Sequence, residues 1–294
     1  MCLSSFFHFM LSRMNTTNLH TATAPVGIFD SGYGGLTILE QVRKGLPQYD
    51  YLYLGDNARA PYGTRSFEIV YEFTKQAVFR LFDEGCSLVI LACNTASAKA
   101  LRSIQQNDLP RLAPDKRVLG VIRPTVEALS EFSHTGHIGI LATPGTIQSQ
   151  SYELEIKKMY PRFEVYGQAC PMWVPLVENN EAQGPGADYF VKKYIGELLA
   201  QSPDIDTVVL GCTHYPLLLD KIKACLPPSV SVVVQGPLVT DRLSDYLHRH
   251  REIEHRCSKG GSCRYLTTES PQKFSEAAAL FLKEPVVAEH IVLG

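Results

Sequence analysis

Short apolar runs alternate with stretches of helical spacing from Pro25 onward, and this alternation restricts the fold more than any other feature of the chain. Apolar runs separated by helix-forming stretches are typical of parallel sheets covered by helices. The sequence therefore predicts an α/β fold. The runs that we interpret as strands are "VGIF" (26–29), "YLYL" (51–54), "LVILA" (88–92), "VLGVI" (118–122), "IGILA" (138–142), "FEVYG" (163–167), "TVVLG" (207–211) and "SVVVQ" (231–235).

Two parts of this pattern resemble each other. "VGIFDSGYGGLT" precedes "LVILACNTASA", and "IGILATPGTIQS" precedes "VVLGCTHYPLLL"; each segment passes from a strand through small polar residues into a helix. Asp30 stands 63 residues before Cys93, and its counterpart Thr143 stands 69 residues before Cys212. This internal duplication predicts two pseudosymmetric α/β domains with a ligand site in the cleft between them.

Composition excludes several classes of protein. With 28 basic and 30 acidic residues, the net charge of -2 gives no reason to expect nucleic acid or an anionic membrane as a partner. No segment is apolar for the ~20 residues that a membrane span needs. Eight scattered cysteines in a long chain indicate a reduced, cytosolic protein rather than a disulfide framework. We expect a small-molecule substrate.

Cys93 and Cys212 each follow a predicted strand, where ligands of open α/β sheets bind. Apart from simple packing, such a pair of thiols suits disulfide exchange, soft-metal binding or proton transfer on opposite faces of one carbon. No Cys-x-x-Cys motif occurs, and only Cys212 has a neighbouring metal-ligand residue, His214. Proton transfer fits the duplication best, and a two-lobed amino-acid binding protein without catalysis is the alternative from another class.

Five motifs carry a resemblance to a known family. "FDSGYGGLT", "GDNARAPYG", "LACNTASA", "CPMWVPLVENN" and "GCTHYPLL" occur in an order and spacing similar to those of glutamate racemases, in the cofactor-independent Asp/Glu racemase superfamily. The resemblance runs from about Val26 to about Leu282. Aspartate racemases are the nearest alternative, but they resemble "GCTE" where this chain has "GCTH".

The resemblance implies two α/β domains with the active site between them. One domain would comprise residues 24–118 plus 228–294, and the other residues 119–227. It also implies racemisation of L-glutamate to D-glutamate for peptidoglycan synthesis by a bacterial cytoplasmic enzyme, without a cofactor or a bound metal. The small-molecule partner would be glutamate, and both a monomer and a homodimer are compatible with the sequence.

Carried over residue by residue, the resemblance implies two groups of site residues. The first group is catalytic, and in it Cys93 would exchange a proton with D-glutamate and Cys212 with L-glutamate. The expected catalytic residues are Cys93, Cys212, Asp30, His214 and Glu178. The expected substrate contacts are Asp30, Ser31, Tyr62, Gly63, Asn94, Thr95, Thr213 and His214.

Two further segments lie outside these motifs. A signal peptide carries basic residues ahead of its apolar stretch, and "MCLSSFFHFMLSRM" has none there. We therefore expect residues 1–23 to be a disordered extension, or translation to begin at Met14. "HRCSKGGSCRYLTT" indicates a hairpin that would set Cys257 opposite Cys263. We expect these two cysteines to be surface thiols.

Overall fold

Strands and helices alternate along the part of the chain that the computed structural model describes, residues 24–294. The predicted extension over residues 1–23 lies outside the described residues. The strands are β1 (Val26–Asp30), β2 (Tyr51–Gly55), β3 (Leu88–Leu91), β4 (Arg117–Gly120), β5 (His137–Ala142), β6 (Glu164–Ala169), β7 (Thr207–Gly211), β8 (Ser231–Val233), β9 (Cys263–Thr267) and β10 (Ala288–His290).

Helices follow most of the strands. The α-helices are α1 (Leu36–Gly45), α2 (Phe67–Asp83), α3 (Asn94–Lys99), α4 (Leu101–Ser103), α5 (Leu109–Leu112), α6 (Ile122–Glu127), α7 (Leu129–Phe132), α8 (Pro144–Gln148), α9 (Ser151–Met159), α10 (Trp173–Glu178), α11 (Pro185–Leu199), α12 (Leu219–Cys225), α13 (Gln235–Arg249), α14 (Arg251–Glu254) and α15 (Pro271–Leu282). Short 3-10 helices span Asn57–Arg59 and Tyr215–Leu218, and a π-helical turn spans Ile104–Asp108.

The strands form two parallel sheets. The six-stranded sheet has the order β10-β9-β2-β1-β3-β4, and the four-stranded sheet has the order β6-β5-β7-β8. We call each sheet with its helices a lobe, the six-stranded sheet giving the first lobe and the four-stranded sheet the second. The segment β2-β1-β3-β4 has the same order as β6-β5-β7-β8, so β1 corresponds to β5 and β3 to β7. This equivalence confirms the predicted pseudosymmetric pair of parallel-sheet α/β units.

All eight predicted strands are present, with small shifts at their ends. The predicted strand 118–122 ends at Gly120, because Val121 precedes α6 and its carbonyl oxygen accepts a hydrogen bond from Oγ1 of Thr125. β9 and β10, which extend the first sheet beyond β2, were not predicted from the sequence. Among the helices of residues 24–294, none is long and apolar enough to cross a bilayer.

The predicted hairpin around Lys259 is wrong. β9 pairs in parallel with β2, so that Cys263 lies opposite Tyr51 rather than opposite Cys257. Cys257 is buried and its Sγ atom donates to the carbonyl oxygen of Ile253 at 3.4 Å. The expectation that both are surface thiols is therefore wrong for Cys257, while Cys263 is half-buried at the start of β9. Parallel pairing with a distant strand prevailed over the local turn signal.

The chain crosses between the lobes twice. The first crossing follows β4 and leads through α6, and the second follows β8 and leads through α13, which packs against α1 of the first lobe. β8 pairs with β7 in the second sheet, so the second lobe extends a few residues past 227, where the second domain was predicted to end. The largest apolar cluster extends through both lobes and includes Leu36 of the first and Trp173 of the second.

Candidate active site

Polar side chains from both lobes meet at the carboxyl ends of the strands. Asp30 ends β1, Cys93 follows the neighbouring strand β3, and Cys212 directly follows β7 of the second lobe. Cys93 and Cys212 are each 6% exposed, and both are free thiols. The structure therefore places the two predicted thiols at equivalent points of the duplicated units, in a closed junction between the lobes.

Cys93 is held by its own lobe. Its Sγ atom lies 3.3 Å from Oγ of Ser31 and accepts a hydrogen bond from the backbone N–H of Ala96 at 3.4 Å, so that Cys93 caps α3. Burial raises the pKa of the Cys93 thiol to about 12, and the nearby carboxylate of Asp30 acts in the same direction. These surroundings favour a neutral thiol at Cys93.

Cys212 has different neighbours. Its Sγ atom lies 3.8 Å from Nδ1 of His214, whose Nε2 atom lies 2.9 Å from Oε1 of Glu178 at the end of α10. Burial acts to lower the pKa of His214, but the hydrogen bonds with Cys212 and Glu178 outweigh it and raise the pKa to about 10. At neutral pH the imidazole is therefore protonated, which places a positive charge beside Cys212.

The carboxylate of Asp30 makes hydrogen bonds to both lobes. One carboxylate oxygen accepts from the backbone N–H of Gly32 at 3.0 Å, and the other lies 3.5 Å from the hydroxyl of Thr213, which donates to it. Asp30 is almost fully buried, and burial raises its pKa, whereas His214 acts to lower it. Asp30 therefore interacts with Cys93 and with Thr213, the residue that follows Cys212.

The loop after β1 approaches the residues after Cys212 very closely. A Cβ atom added to Gly34 would lie 2.3 Å from Oγ1 of Thr213 and 2.4 Å from Nδ1 of His214. Oγ1 of Thr37 also donates to the carbonyl oxygen of Thr213 at 3.0 Å. Only glycine permits this contact at position 34, because any side chain would displace the imidazole.

A cluster of three threonines forms a second contact between the lobes. Oγ1 of Thr95 lies 2.9 Å from Oγ1 of Thr143 and 3.2 Å from Oγ1 of Thr146. Nearby, the backbone N–H of Gly145 donates to the carbonyl oxygen of Gly63 at 2.7 Å. The sequence analysis assigned no role to Thr143 or Thr146, although the duplication had marked Thr143 as the counterpart of Asp30.

Two predicted substrate residues point their side chains elsewhere. The buried hydroxyl of Tyr62 donates to the carboxylate of Asp56 within the first lobe, and the loop contacts the second lobe through the carbonyl oxygen of Gly63. The side-chain amide of Asn94 bonds to Gln235 and Tyr152. Sequence reasoning missed Gln235 and Tyr152, because nothing in the spacing of these residues indicates that they meet.

The other predicted residues meet in smaller sets. Ser31 contacts Cys93, Thr213 donates to Asp30, and His214 contacts both Cys212 and Glu178. Thr95 contacts only the threonine cluster among the contacts given above. Within residues 24–294, no three His, Cys, Asp or Glu side chains are arranged so that they could hold a metal ion.

Comparison with known proteins decides the family. The profile of Asp/Glu/Hydantoin racemases matches residues 36–239. A glutamate racemase of Ruegeria sp. (strain TM1040) is 42% identical over 274 residues, which cover 90% of this chain and 98% of the relative. The chain belongs to the Asp/Glu/hydantoin racemase family. This racemase is therefore an amino-acid isomerase.

Solved structures agree with this assignment. Glutamate racemase isoform RacE1 of Bacillus anthracis superposes on this racemase with a TM-score of 0.83 and 33% identity, over 92% of this chain and 98% of that one. Glutamate racemase of Francisella tularensis in complex with D-glutamate gives a TM-score of 0.80 and 31% identity, over 93% of this chain and 98% of that one. The two-lobed fold is thus that of known racemases.

Proposed function

We propose that this racemase interconverts L- and D-glutamate by a two-base mechanism in which Cys93 and Cys212 act on opposite faces of the substrate Cα. The observation that carries the proposal is the placement of the two thiols at equivalent strand ends of duplicated lobes. The names of the relatives support glutamate as the substrate, and the F. tularensis relative was solved with D-glutamate bound.

The two thiols have different charges beside them. The imidazolium of His214 lies beside Cys212, where it suits a sulfur that acts as the base, whereas burial and the Asp30 carboxylate raise the pKa of Cys93 and keep it neutral. In the L-to-D direction the Cys212 thiolate removes the α-proton, and the electron pair of the broken C–H bond remains at Cα. The Cys93 thiol then donates its proton to the opposite face. The D-to-L direction reverses these roles.

The remaining polar groups suit the charges of glutamate. Asp30, buried near Cys93 and accepting a hydrogen bond from Thr213, balances the ammonium group or orients Cys93. The hydroxyls of Thr95, Thr143 and Thr146 form one buried cluster, and Thr95 stands two residues after Cys93. We assign them to the side-chain carboxylate, because Cα must lie between the sulfurs and the side chain extends away from it.

The same reading requires neither a cofactor nor a metal, because the two thiols supply both the base and the acid. By analogy with the family, we place the reaction in the cytoplasm, where D-glutamate enters peptidoglycan synthesis. We retain the predicted division into residues 24–118 plus 228–294 and residues 119–227 with one change: the second boundary moves past β8 (Ser231–Val233), which pairs with β7 in the sheet of the second lobe. We also retain a homodimer as the assembly to be tested.

Hydrogen exchange in deuterated water tests the mechanism. Starting from L-glutamate, Cys212 removes protium and Cys93 supplies deuterium, so early D-glutamate should be labelled at Cα while recovered L-glutamate stays largely protonated. A single base would carry the original hydrogen into the product or label both together. Early D-glutamate that retains most of its protium contradicts the two-thiol mechanism.

Substrate identity needs its own measurement. Racemisation of glutamate and aspartate can be compared by the loss of optical rotation under identical conditions. We expect faster turnover of glutamate, and replacement of Cys93 by serine should abolish it while leaving the fold intact. Tight binding of glutamate without turnover would instead favour an amino-acid binding protein.

A further inference from the structure

A closed ring of hydrogen bonds joins three side chains that lie next to the neighbours of the two thiols in sequence. The amide nitrogen of Gln235 donates to the hydroxyl of Tyr152 at 2.8 Å, this hydroxyl donates to Oδ1 of Asn94 at 2.7 Å, and Nδ2 of Asn94 donates to Oε1 of Gln235 at 2.6 Å. All three side chains are at most 3% exposed. Each one both donates and accepts, so the ring is internally complete.

The members of the ring come from different parts of the fold. Asn94 follows Cys93 directly in the first lobe. Tyr152 lies on α9 of the second lobe, where its ring is 3.3 Å from the position of a Cβ on Gly211, the residue before Cys212. Gln235 begins α13, at the second crossing between the lobes. The ring therefore contacts the immediate neighbours of both thiols.

The ring also reaches the first crossing between the lobes. The second amide hydrogen of Gln235 is directed to Oγ1 of Thr125 at 2.9 Å, and this hydroxyl donates to the carbonyl oxygen of Val121 at 2.7 Å. Val121 and Thr125 lie where the chain leaves β4. One glutamine side chain thus ties both crossings to the neighbours of both thiols.

We propose that Gln235 and Tyr152 are positioning residues, which fix the separation of Cys93 and Cys212 through this ring. The inference rests on the two-thiol mechanism proposed above. Both sulfurs are nearly buried, so the lobes must part for substrate to enter and return to the same spacing for catalysis. A fully satisfied polar ring at the crossings restores that spacing, because any other arrangement leaves buried amide and hydroxyl groups unpaired.

Tyr152→Phe tests the inference, since it removes the hydroxyl and opens the ring while keeping the aromatic packing. When the carbanion forms, a displaced Cys93 delivers its proton late, and the proton on Cys212 has time to exchange with solvent before it returns. In deuterated water, the ratio of deuterium in recovered L-glutamate to D-glutamate formed should rise above that of the wild type. We expect kcat to fall about 10- to 100-fold, as for small misplacements of catalytic groups, with little change in KM.

Gln235→Met provides a second route to the same result, and the double variant should lose no more than either single one, because each substitution already opens the ring. The matched control is Tyr51→Phe, which removes a buried tyrosine hydroxyl bonded to the carbonyl oxygen of Leu46 at 2.6 Å, within the first lobe. This control should keep the wild-type ratio. The ratio does not depend on how much of a variant is folded.

The outcomes separate this inference from the mechanism on which it rests. If Tyr152→Phe and Gln235→Met both keep the wild-type exchange ratio, the ring has only a structural role and the inference is wrong. If the wild type itself carries protium from L-glutamate into D-glutamate, the two-thiol mechanism fails first, whatever the variants do. A raised ratio in both ring variants, with an unchanged ratio in Tyr51→Phe, supports the inference.

Discussion

Nε2 of His214 lies 2.9 Å from Oε1 of Glu178, while the other ring nitrogen of His214 faces the sulfur of Cys212. The carboxylate thus favours the protonated imidazole and keeps a positive charge beside the sulfur of Cys212. Within residues 24–294, Cys93 has no imidazole partner and has Asp30 nearby instead. The two lobes share a topology, but their thiols differ in charge surroundings, and this asymmetry underlies the following predictions.

Glu178→Gln should shift the pH dependence of racemisation. The substitution keeps a hydrogen-bond acceptor but removes the charge that helps to raise the pKa of His214 to about 10. We expect the decline of kcat/KM on the alkaline side, near pH 10 in the wild type, to move to lower pH. Glu197→Gln, at a half-exposed carboxylate on α11, is the control and should keep the wild-type profile. An unchanged profile in Glu178→Gln would show that this carboxylate does not hold the proton on His214.

The same pair should contribute to stability in a defined pH range. The pKa of His214 is higher in the folded protein, about 10, than its ordinary value of 6.5, so folding favours the protonated form. Its contribution is complete below about pH 6.5 and is lost as the pH rises through about 10. The free energy of unfolding of the wild type should therefore exceed that of Glu178→Gln at pH 7. Urea titrations at several pH values should show this difference shrinking toward pH 10.

Single replacements of the two thiols should separate the two half-reactions. Cys93→Ser keeps the base for L-glutamate, and Cys212→Ser keeps the group that serves D-glutamate. Each variant should lose racemisation by at least about 100-fold, the usual range for one acid–base group. In deuterated water, Cys93→Ser should still label L-glutamate but not D-glutamate, and Cys212→Ser the reverse. Equal labelling of both enantiomers by either variant would contradict the assignment of faces.

The sequence predicts the strands near the site well because they are buried. β1, β3 and β7 are buried at every residue and apolar except for Asp30 and Thr207 at their ends, as expected for parallel strands covered on both faces. β10 has only three residues, of which Glu289 and His290 are exposed, so no apolar pattern marks it. β9 begins with the partly exposed residues Cys263 and Arg264, where a glycine turn signal is stronger than the strand signal.

The site was predictable where neighbours in sequence are neighbours in space, as for Cys212 and His214. The contacts between lobes were not. Asn94 and Gln235 are 141 residues apart, and no periodicity specifies that their amides pair. The close approach of Gly34 to His214 likewise depends on how two separate lobes pack, which local propensities do not encode.

Gly34→Ala should damage activity more than stability. The added methyl group would overlap Oγ1 of Thr213 and Nδ1 of His214, so the imidazole must move away from Cys212. Overpacking of this kind costs roughly 1–3 kcal/mol of folding free energy, and displacement of a catalytic group by about 1 Å can lower the rate about 100-fold. Kinetics and thermal unfolding of the same preparation measure both effects. Gly196→Ala, on α11 with open space around the position, is the control: it should match the wild type in kinetics and be equally or slightly more stable, because alanine favours a helix over glycine by up to about 1 kcal/mol.

Thr146→Val should weaken substrate binding and reduce the preference for glutamate. If the hydroxyls of Thr95, Thr143 and Thr146 hold the side-chain carboxylate, the isosteric valine removes one donor to a charged group. Such a hydrogen bond contributes about 1.5–3 kcal/mol, so KM for glutamate should rise about 10-fold or more, with a smaller change in kcat because the thiols are untouched. Steady-state kinetics in both directions measure these changes.

Aspartate makes this test specific to the carboxylate. Its side chain is one methylene shorter, so its carboxylate cannot reach the threonines while Cα lies between the sulfurs, and Thr146→Val should change its slow turnover little. The ratio of kcat/KM for glutamate to that for aspartate should therefore fall in the variant. Thr74→Val, which removes a buried hydroxyl that makes no hydrogen bond within residues 24–294, is the matched control and should keep the wild-type ratio. An equal loss for both amino acids in Thr146→Val would indicate that the threonines hold the lobes together and do not contact the substrate side chain.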